Sequence, residues 1–306
     1  MANAIGSRTR VGVIPETTPG TTPTAALNWL RITGGGPNGD AKQVTESAEL
    51  GLVSVPDQVL TGFNYSGTIN FEVSSGALDL LLPSAMSNDW ATDDLVIGQL
   101  TRALTIAWPC SNGRWTVDRG CIITSLQIQA GLDAIMTGTA QYVARSRTRA
   151  SASPGTGSPV DAPDTPVMGP IAAQRTITEG GSTNLLALGV TQISLTIAQA
   201  LVPQPGLGSA DLVGLDPEFA TVTGQFTTYY ADDTLVAKAD GHTMTSLLYE
   251  CGGASAARYE FELPQIYLTG GPENAQRGQA VRTPFNVQAV IGNGTGPLTI
   301  TRVPAA

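Results

Sequence analysis

The feature that most limits the fold is a period-two alternation of apolar and polar residues, which returns along the chain between turn-forming stretches. From Tyr65 to Ser74, the residues Tyr65, Ile69, Phe71 and Val73 point one way, and Ser66, Thr68, Asn70, Glu72 and Ser74 the other. Successive side chains of a strand face opposite ways, so this pattern predicts a strand with one face buried. Ile122 to Gln129 sets Thr124, Leu126 and Ile128 against Ser125, Gln127 and Gln129. Val190 to Ala198 sets Ile193, Leu195 and Ile197 against Gln192, Ser194 and Thr196. Further strands are expected over 135–143, 222–230, 243–249, 259–263 and 281–291. Residues 103–108 and 114–118 read as two arms of a hairpin around Asn112-Gly113, a favoured turn pair. One short helix is expected to be capped by Ser75, to carry Leu78, Leu81 and Leu82, and to end at Pro83; Thr234 to Ala239 reads as a second. The fold class is therefore all-β dominated, a β-sandwich or β-barrel with one or two short helices.

Breaks in the alternation divide the chain. Pro15-Glu16-Thr17-Thr18-Pro19-Gly20-Thr21-Thr22-Pro23 is unsuited to a helix or central strand, because proline lacks a donor and fixes φ. Ile32 to Gly39 is a second break, so 1–60 reads as an N-terminal arm and loop. A first β unit follows over 61–145. A Pro-, Ser- and Gly-rich linker or interaction loop spans 146–170, a second β unit 171–292, and a C-terminal arm 293–306. A large residue, a hydroxyl and a glycine precede alternation three times, at Gly67, Gly138 and Gly224. Either a larger unit is duplicated, or Thr-Gly is reused by chance.

Composition narrows the function. Against 25 Asp and Glu there are only 16 Lys and Arg among 306 residues, for a net charge of -9. Firm phosphate binding needs basic side chains that release counterions, so a nucleic-acid grip is not expected. A single His gives no basis for His-based catalysis or a multi-His metal site. Cys110, Cys121 and Cys251 form no CxxC pair. Cys110 and Cys121 flank the expected hairpin turn, where a disulfide is geometrically open, but reduced, packed thiols suit a chain without a signal-like start. No metal or cofactor is expected, no apolar run is long enough to span a membrane, and the dense carboxylates at Asp232-Asp233 and Glu260/Glu262 come without a sugar-stacking aromatic cluster, so an enzyme is not expected. The basic run Arg145 to Arg149 suits contact with DNA, a solvated face, or an acidic neighbour subunit. Charged residues are only 13%, which suits surfaces covered by other subunits.

Several short motifs recur in one order. They are Val11-Gly12-Val13-Ile14 leading into the Pro/Thr run, Trp29-Leu30-Arg31-Ile32, the block from Gly62 to Trp90, and Arg119 to Leu126 with Thr137-Gly138. Val222-Thr223-Gly224, Ala231 to Leu235 and Phe261 to Ile266 follow. In this order and spacing the chain resembles the tail tube (major tail) proteins of long-tailed bacteriophages. The 151–170 stretch departs from that pattern by its length. The resemblance implies a structural virion protein of the viral tail, assembled in the host cytoplasm. Its homo-oligomeric rings, hexameric or trimeric if the chain is duplicated, would stack around a tape-measure protein. Tail terminator and tail-tip proteins would be further partners, and DNA would pass through the lumen without specific binding. In that role Glu72, Asp79, Asp232 and Asp233 are candidate lumen carboxylates. Pro15, Glu16, Thr17, Thr18, Pro19 and Trp29 are candidate inter-subunit arm residues, with the 34–60 loop and the tail after Asn293. The competing reading is another virion surface module, an adhesin or decoration protein.

Overall fold

The computed structural model describes residues 9–38, 42–49, 53–110, 112–171, 174–252, 257–272, 278, 280–292 and 296–304. The first residues of the expected N-terminal arm, parts of the 34–60 loop, and 293–295 and 305–306 of the expected C-terminal arm lie outside the described residues.

Five strands occupy the segment read as arm and loop: β1 (Val11–Pro15), β2 (Asn28–Leu30), β3 (Gly34–Pro37), β4 (Lys42–Glu46) and β5 (Gln58–Phe63). Then come β6 (Tyr65–Glu72), α1 (Leu82–Met86), β7 (Asp94–Val96), β8 (Leu104–Pro109), β9 (Trp115–Gly131), β10 (Thr137–Ala144) and β11 (Ser146–Ala150). The remainder holds β12 (Gln174–Glu179), β13 (Thr183–Asn184), β14 (Gln192–Gln204), β15 (Gly214–Tyr229), α2 (Thr234–Asp240), β16 (Met244–Gly252), β17 (Arg258–Gly270), β18 (Arg282–Ala289) and β19 (Thr299–Val303). The chain is all-β dominated, as the alternation requires.

One wide antiparallel layer runs β3–β6–β10–β9–β14–β15–β18–β17. Strand β17 then turns into a second layer. Its later half pairs with β18, while Arg258 to Glu262 pair with β19 and also with β16, which pairs onward with β12. The register between β16 and β17 shifts around Pro264, where the missing donor interrupts the ladder. Ile193, Leu195, Phe226 and Val287 of the wide layer meet Leu247, Tyr249 and Leu263 of the second layer. Both sets are buried, and they form the main core with Ile69, Phe71, Leu126, Ile128 and Tyr142.

Strand β9 links this core to a smaller sheet. Its first half pairs with β8 and β11, and its second half with β10 and β14. Between the halves the pairing steps from Gln141↔Ser125 to Tyr142↔Ile123 and passes over Thr124. Thr124, expected to share the inward face with Leu126, is instead the extra residue of a bulge, and it lets both Ile123 and Leu126 be buried. The smaller sheet, β2–β1–β8–β9, encloses a second core of Ile14, Leu27, Ala107 and Val117.

Two local expectations change. Pro83 opens α1 instead of ending a helix, because a proline in the first turn sacrifices no intrahelical bond. Residues 75–81 form turns that still bury Leu78 and Leu81. Cys121 lies opposite Leu104, whereas Cys110 sits at the hairpin turn, and all three cysteines are free.

The recurring glycines acquire a physical reason. Gly67 pairs with Tyr142 and Gly138 with Phe71, on the adjacent strands β6 and β10. A Cβ on either glycine would overlap edge atoms of the partner's aromatic side chain. Each glycine thus makes room for an aromatic side chain laid across the neighbouring strand. Gly224 differs, since its added Cβ would press on the Ser194 backbone carbonyl at 2.9 Å. Gly138→Ala and Gly67→Ala are each expected to cost about 1–3 kcal/mol by overpacking. Gly131→Ala, with open space around it, should change stability by no more than about 0.5 kcal/mol; urea unfolding midpoints of the purified subunit check the difference.

Candidate functional surfaces

The wide layer has a second face, turned away from the core, and it is almost without charge. Cross-strand partners lie side by side, so the register assembles rows across six strands. One row is Asn70, Thr139, Gln127, Thr196, Thr223 and Gln288. Beside it runs Glu72, Thr137, Gln129, Ser194, Gln225 and Asn286, and on the other side Thr68, Gln141, Ser125, Ala198 and Thr221. All of these side chains are at least partly accessible, and Glu72 carries the one charge among them. Some engage each other: the Thr139 hydroxyl donates to Asn70 Oδ1 at 3.2 Å, and Gln225 Nε2 to Asn286 Oδ1 at 3.4 Å.

Two hairpins project from the layers. The ribbon β4–β5 is a separate two-stranded sheet and exposes Val44, Val59 and Leu60, with Val53 and Val55 on its connection. The second is the far end of β14–β15. Strand β14 meets β9 only as far as Ala198, and β15 meets β18 only from Thr223, so Gln199–Gln204 and Gly214–Ala220 pair only with each other. This arm exposes Val202, Leu207, Val213 and Phe219. Its bared strand edges carry Pro203 and Pro217, which withhold donors from edge pairing. The two hairpins touch, since Phe63 N donates to Ala210 O at 3.1 Å. The Arg145 guanidinium ties the second arm down through Val213 O and also reaches Pro19 O. This arm is absent from the sequence reading, because its prolines and glycines resemble those of a loop.

The basic run 145–149 is largely engaged within the subunit. Arg147 forms a two-pronged ion pair with Asp118, Nε to Oδ1 at 2.6 Å and Nη2 to Oδ2 at 2.9 Å. It also donates to Asn38 O and Ser66 O and stacks over the Tyr65 ring. Tyr142 donates to Asp118 Oδ2 at 2.8 Å and accepts from Trp108 Nε1 at 3.0 Å. Burial works against the Arg147 charge, but the hydrogen bonds and charge of Asp118 outweigh it and raise its pKa. Burial first, and the Asp118 carboxylate second, push the Tyr142 phenol far up. Arg149 alone of the three arginines stands exposed.

The candidate arm residues divide. Glu16 is buried, where it accepts from the Thr105 hydroxyl at 2.6 Å, Gly120 N at 3.0 Å and Gly20 N at 2.6 Å. Pro15, Thr17 and Thr18 are exposed around it. Pro19 anchors Arg145, and Trp29 stacks on Trp115 at 6.2 Å between ring centroids. The four candidate lumen carboxylates are not brought together. Glu72 stands on the polar face. Asp79 accepts from the Tyr259 hydroxyl at 2.6 Å and pairs with Arg302 at 3.0 Å. Asp232 and Asp233 sit at the start of α2, where Asp232 accepts from Thr234 N; that bond holds the Asp232 pKa below its usual value.

The fold and these surfaces define a class: a large antiparallel β subunit that presents extended contact surfaces. The chain matches the family model described as Phage tail tube protein over residues 6–289, and it belongs to that family. It is thus a structural protein of the phage tail, with its place in the virion. No curated protein matches it. Among the described residues, no helix is long and apolar enough to cross a membrane.

Arg147→Met would leave the Asp118 carboxylate buried and unpaired, with an expected loss of about 3–5 kcal/mol. Arg149→Met, at an exposed site, should shift stability by less than about 0.5 kcal/mol. Chemical denaturation of the two variants side by side measures this contrast.

Proposed function

We propose that the subunits close into rings, that the rings stack into the hollow tube of the tail, and that this tube conducts the genome to the host. Hexamers are the proposed ring, with trimers as the form a duplicated chain would take. A tape-measure protein fills the growing tube in the host cytoplasm, and terminator and tail-tip proteins close its ends. The observation that carries the reading is the pair of projecting hairpins with aliphatic and aromatic side chains in water. Contiguous exposed apolar patches mark interaction sites, and each large side chain gains about 1.5–3 kcal/mol when fully covered. Ring closure also covers strand edges, which removes the hazard of uncontrolled pairing. Exposed Pro15, Thr17 and Thr18, held by the buried Glu16, are proposed to add to the contacts between copies. Of the lumen candidates, Glu72 fits that place best, since it shares the broad polar face.

Electron microscopy of purified protein should show rings or tubes. In Leu207→Ser/Phe219→Ser, the subunit's unfolding midpoint is expected to hold. The concentration needed for assembly should rise by about 100-fold, which corresponds to the loss of about 3 kcal/mol of apolar burial. Unchanged assembly of the variant would remove the arm from the contact. A wild-type chain that stays monomeric at high concentration, with its tape measure present, would sink the tube reading.

A further inference from the structure

We infer that the chain is one β unit repeated in tandem, and that a second copy of the chain joins it as its own second unit joins the first, with the β4–β5 hairpin of one copy laid across the β17–β18 end of the other. The inference rests on the assembly reading and names the surface on which neighbours meet.

The pairings of the two halves coincide. Strand β9 pairs at its start with β8 and at its end with β10, which carries β6. Strand β17 pairs at its start with β16 and at its end with β18, which carries β15. Even the irregularities match. From Leu104↔Cys121 to Ile106↔Asp118, two steps on β8 run against three on β9; from Thr245↔Ile266 to Leu247↔Leu263, two on β16 run against three on β17. One step of 145 residues carries Asp118, Cys121 and Tyr142 onto Leu263, Ile266 and Val287 (118 to 263, 121 to 266, 142 to 287). Tyr142 and Val287 face Gly67 and Gly224. Helix α1 packs on β9, and α2 on β17. Chance reuse of Thr-Gly does not reproduce a bulge at the same place in a second strand pair.

The two projecting hairpins are then one arm built twice. A step of 157 residues carries Gly67 onto Gly224 and the pair Val44↔Leu60 onto Leu201↔Pro217 (67 to 224, 44 to 201, 60 to 217). The arm of the second unit has its seat within the chain: Leu212 N donates to Arg145 O at 3.2 Å, and Ala210 O accepts from Phe63 N at 3.1 Å. The same steps turn this seat into Val290 and Ala220 (145 to 290, 63 to 220), next to Ile291 and Phe219. They turn Leu212 and Ala210 of the arm into Val55 and Val53 (212 to 55, 210 to 53). Within one chain this second seat is uncovered. Ile291 is 77% and Phe219 58% exposed, and Val53 and Val55 also stand in water. Strand β14 lies between β15 and β9, whereas its counterpart β3 pairs with β6 alone among the described residues. Arm and seat thus wait at opposite ends of the wide layer. Unlike surfaces that meet in this way join copies head to tail, and the series closes as a ring. Three chains then supply the six units of the proposed ring.

Cross-linking in assembled tubes tests the contact. In a Cys110→Ser background, Val55→Cys/Ile291→Cys is treated with a short bismaleimide and run on a denaturing gel. Both sites are exposed, so the subunit's unfolding midpoint should hold. The expected result is a ladder of linked chains that ends at three. Each single variant should give no linked species, and tubes mixed from the two single variants should give dimers alone. Tubes that form but yield no ladder would overturn the contact. A ladder from either single variant would overturn its head-to-tail sense, and one that runs past three would overturn the count of two units per chain. Failure of the wild-type chain to form tubes would instead remove the assembly reading.

Discussion

The register of β9 is the constraint on which the rest of the subunit depends. A shift of one residue in a strand sends every side chain to the opposite face. In β9 such a shift would drive Gln127 and Gln129 into the core and bring Leu126 and Ile128 onto the polar face. The bulge at Thr124 fixes the phase of each half separately, so one strand serves two sheets with two cores. The neighbours β10 and β14 inherit their phase from β9, and β6, β15 and β18 inherit theirs in turn.

This arrangement separates cohesion from contact. Cohesion comes from the aromatic and aliphatic layer beneath the sheet and from the buried Asp118–Arg147–Tyr142 group, which fastens β11 to β9 and β10 and reaches back to Asn38 and Ser66. The two hairpins add little to either core and leave large apolar side chains exposed, and contact between copies is proposed to fall on them. Arg145 bridges the two roles, since it fixes the second hairpin through a backbone carbonyl and leaves the apolar tip free.

Strands with one buried face were legible in the sequence. The alternation in β6 and the first part of β14 is what half-burial imposes on a chain, and it places Ile69, Phe71, Ile193 and Leu195 on the core side. Strand β1 escaped because Val11 to Ile14 are all buried and do not alternate, with a proline run directly behind them. The five consecutive buried residues of β8 became readable only through the adjoining Asn112-Gly113 turn. The glycine signature was visible, but its cause lay across the strand pair, in Tyr142 and Phe71. The surfaces were harder to read. Glu72, Asp79, Asp232 and Asp233 share a charge but not a face, since which strands lie side by side is a property of topology. The neutral rows are invisible along the chain for the same reason, as each strand contributes only two or three members.

The central claim, proposed from the exposed apolar side chains of the two hairpins, is that these arms join the subunits. Electron cryo-microscopy of assembled tubes, at a resolution that traces side chains, tests it most directly. The account predicts Leu207 and Phe219 buried between copies. A map with the arm tips free in solvent would contradict it.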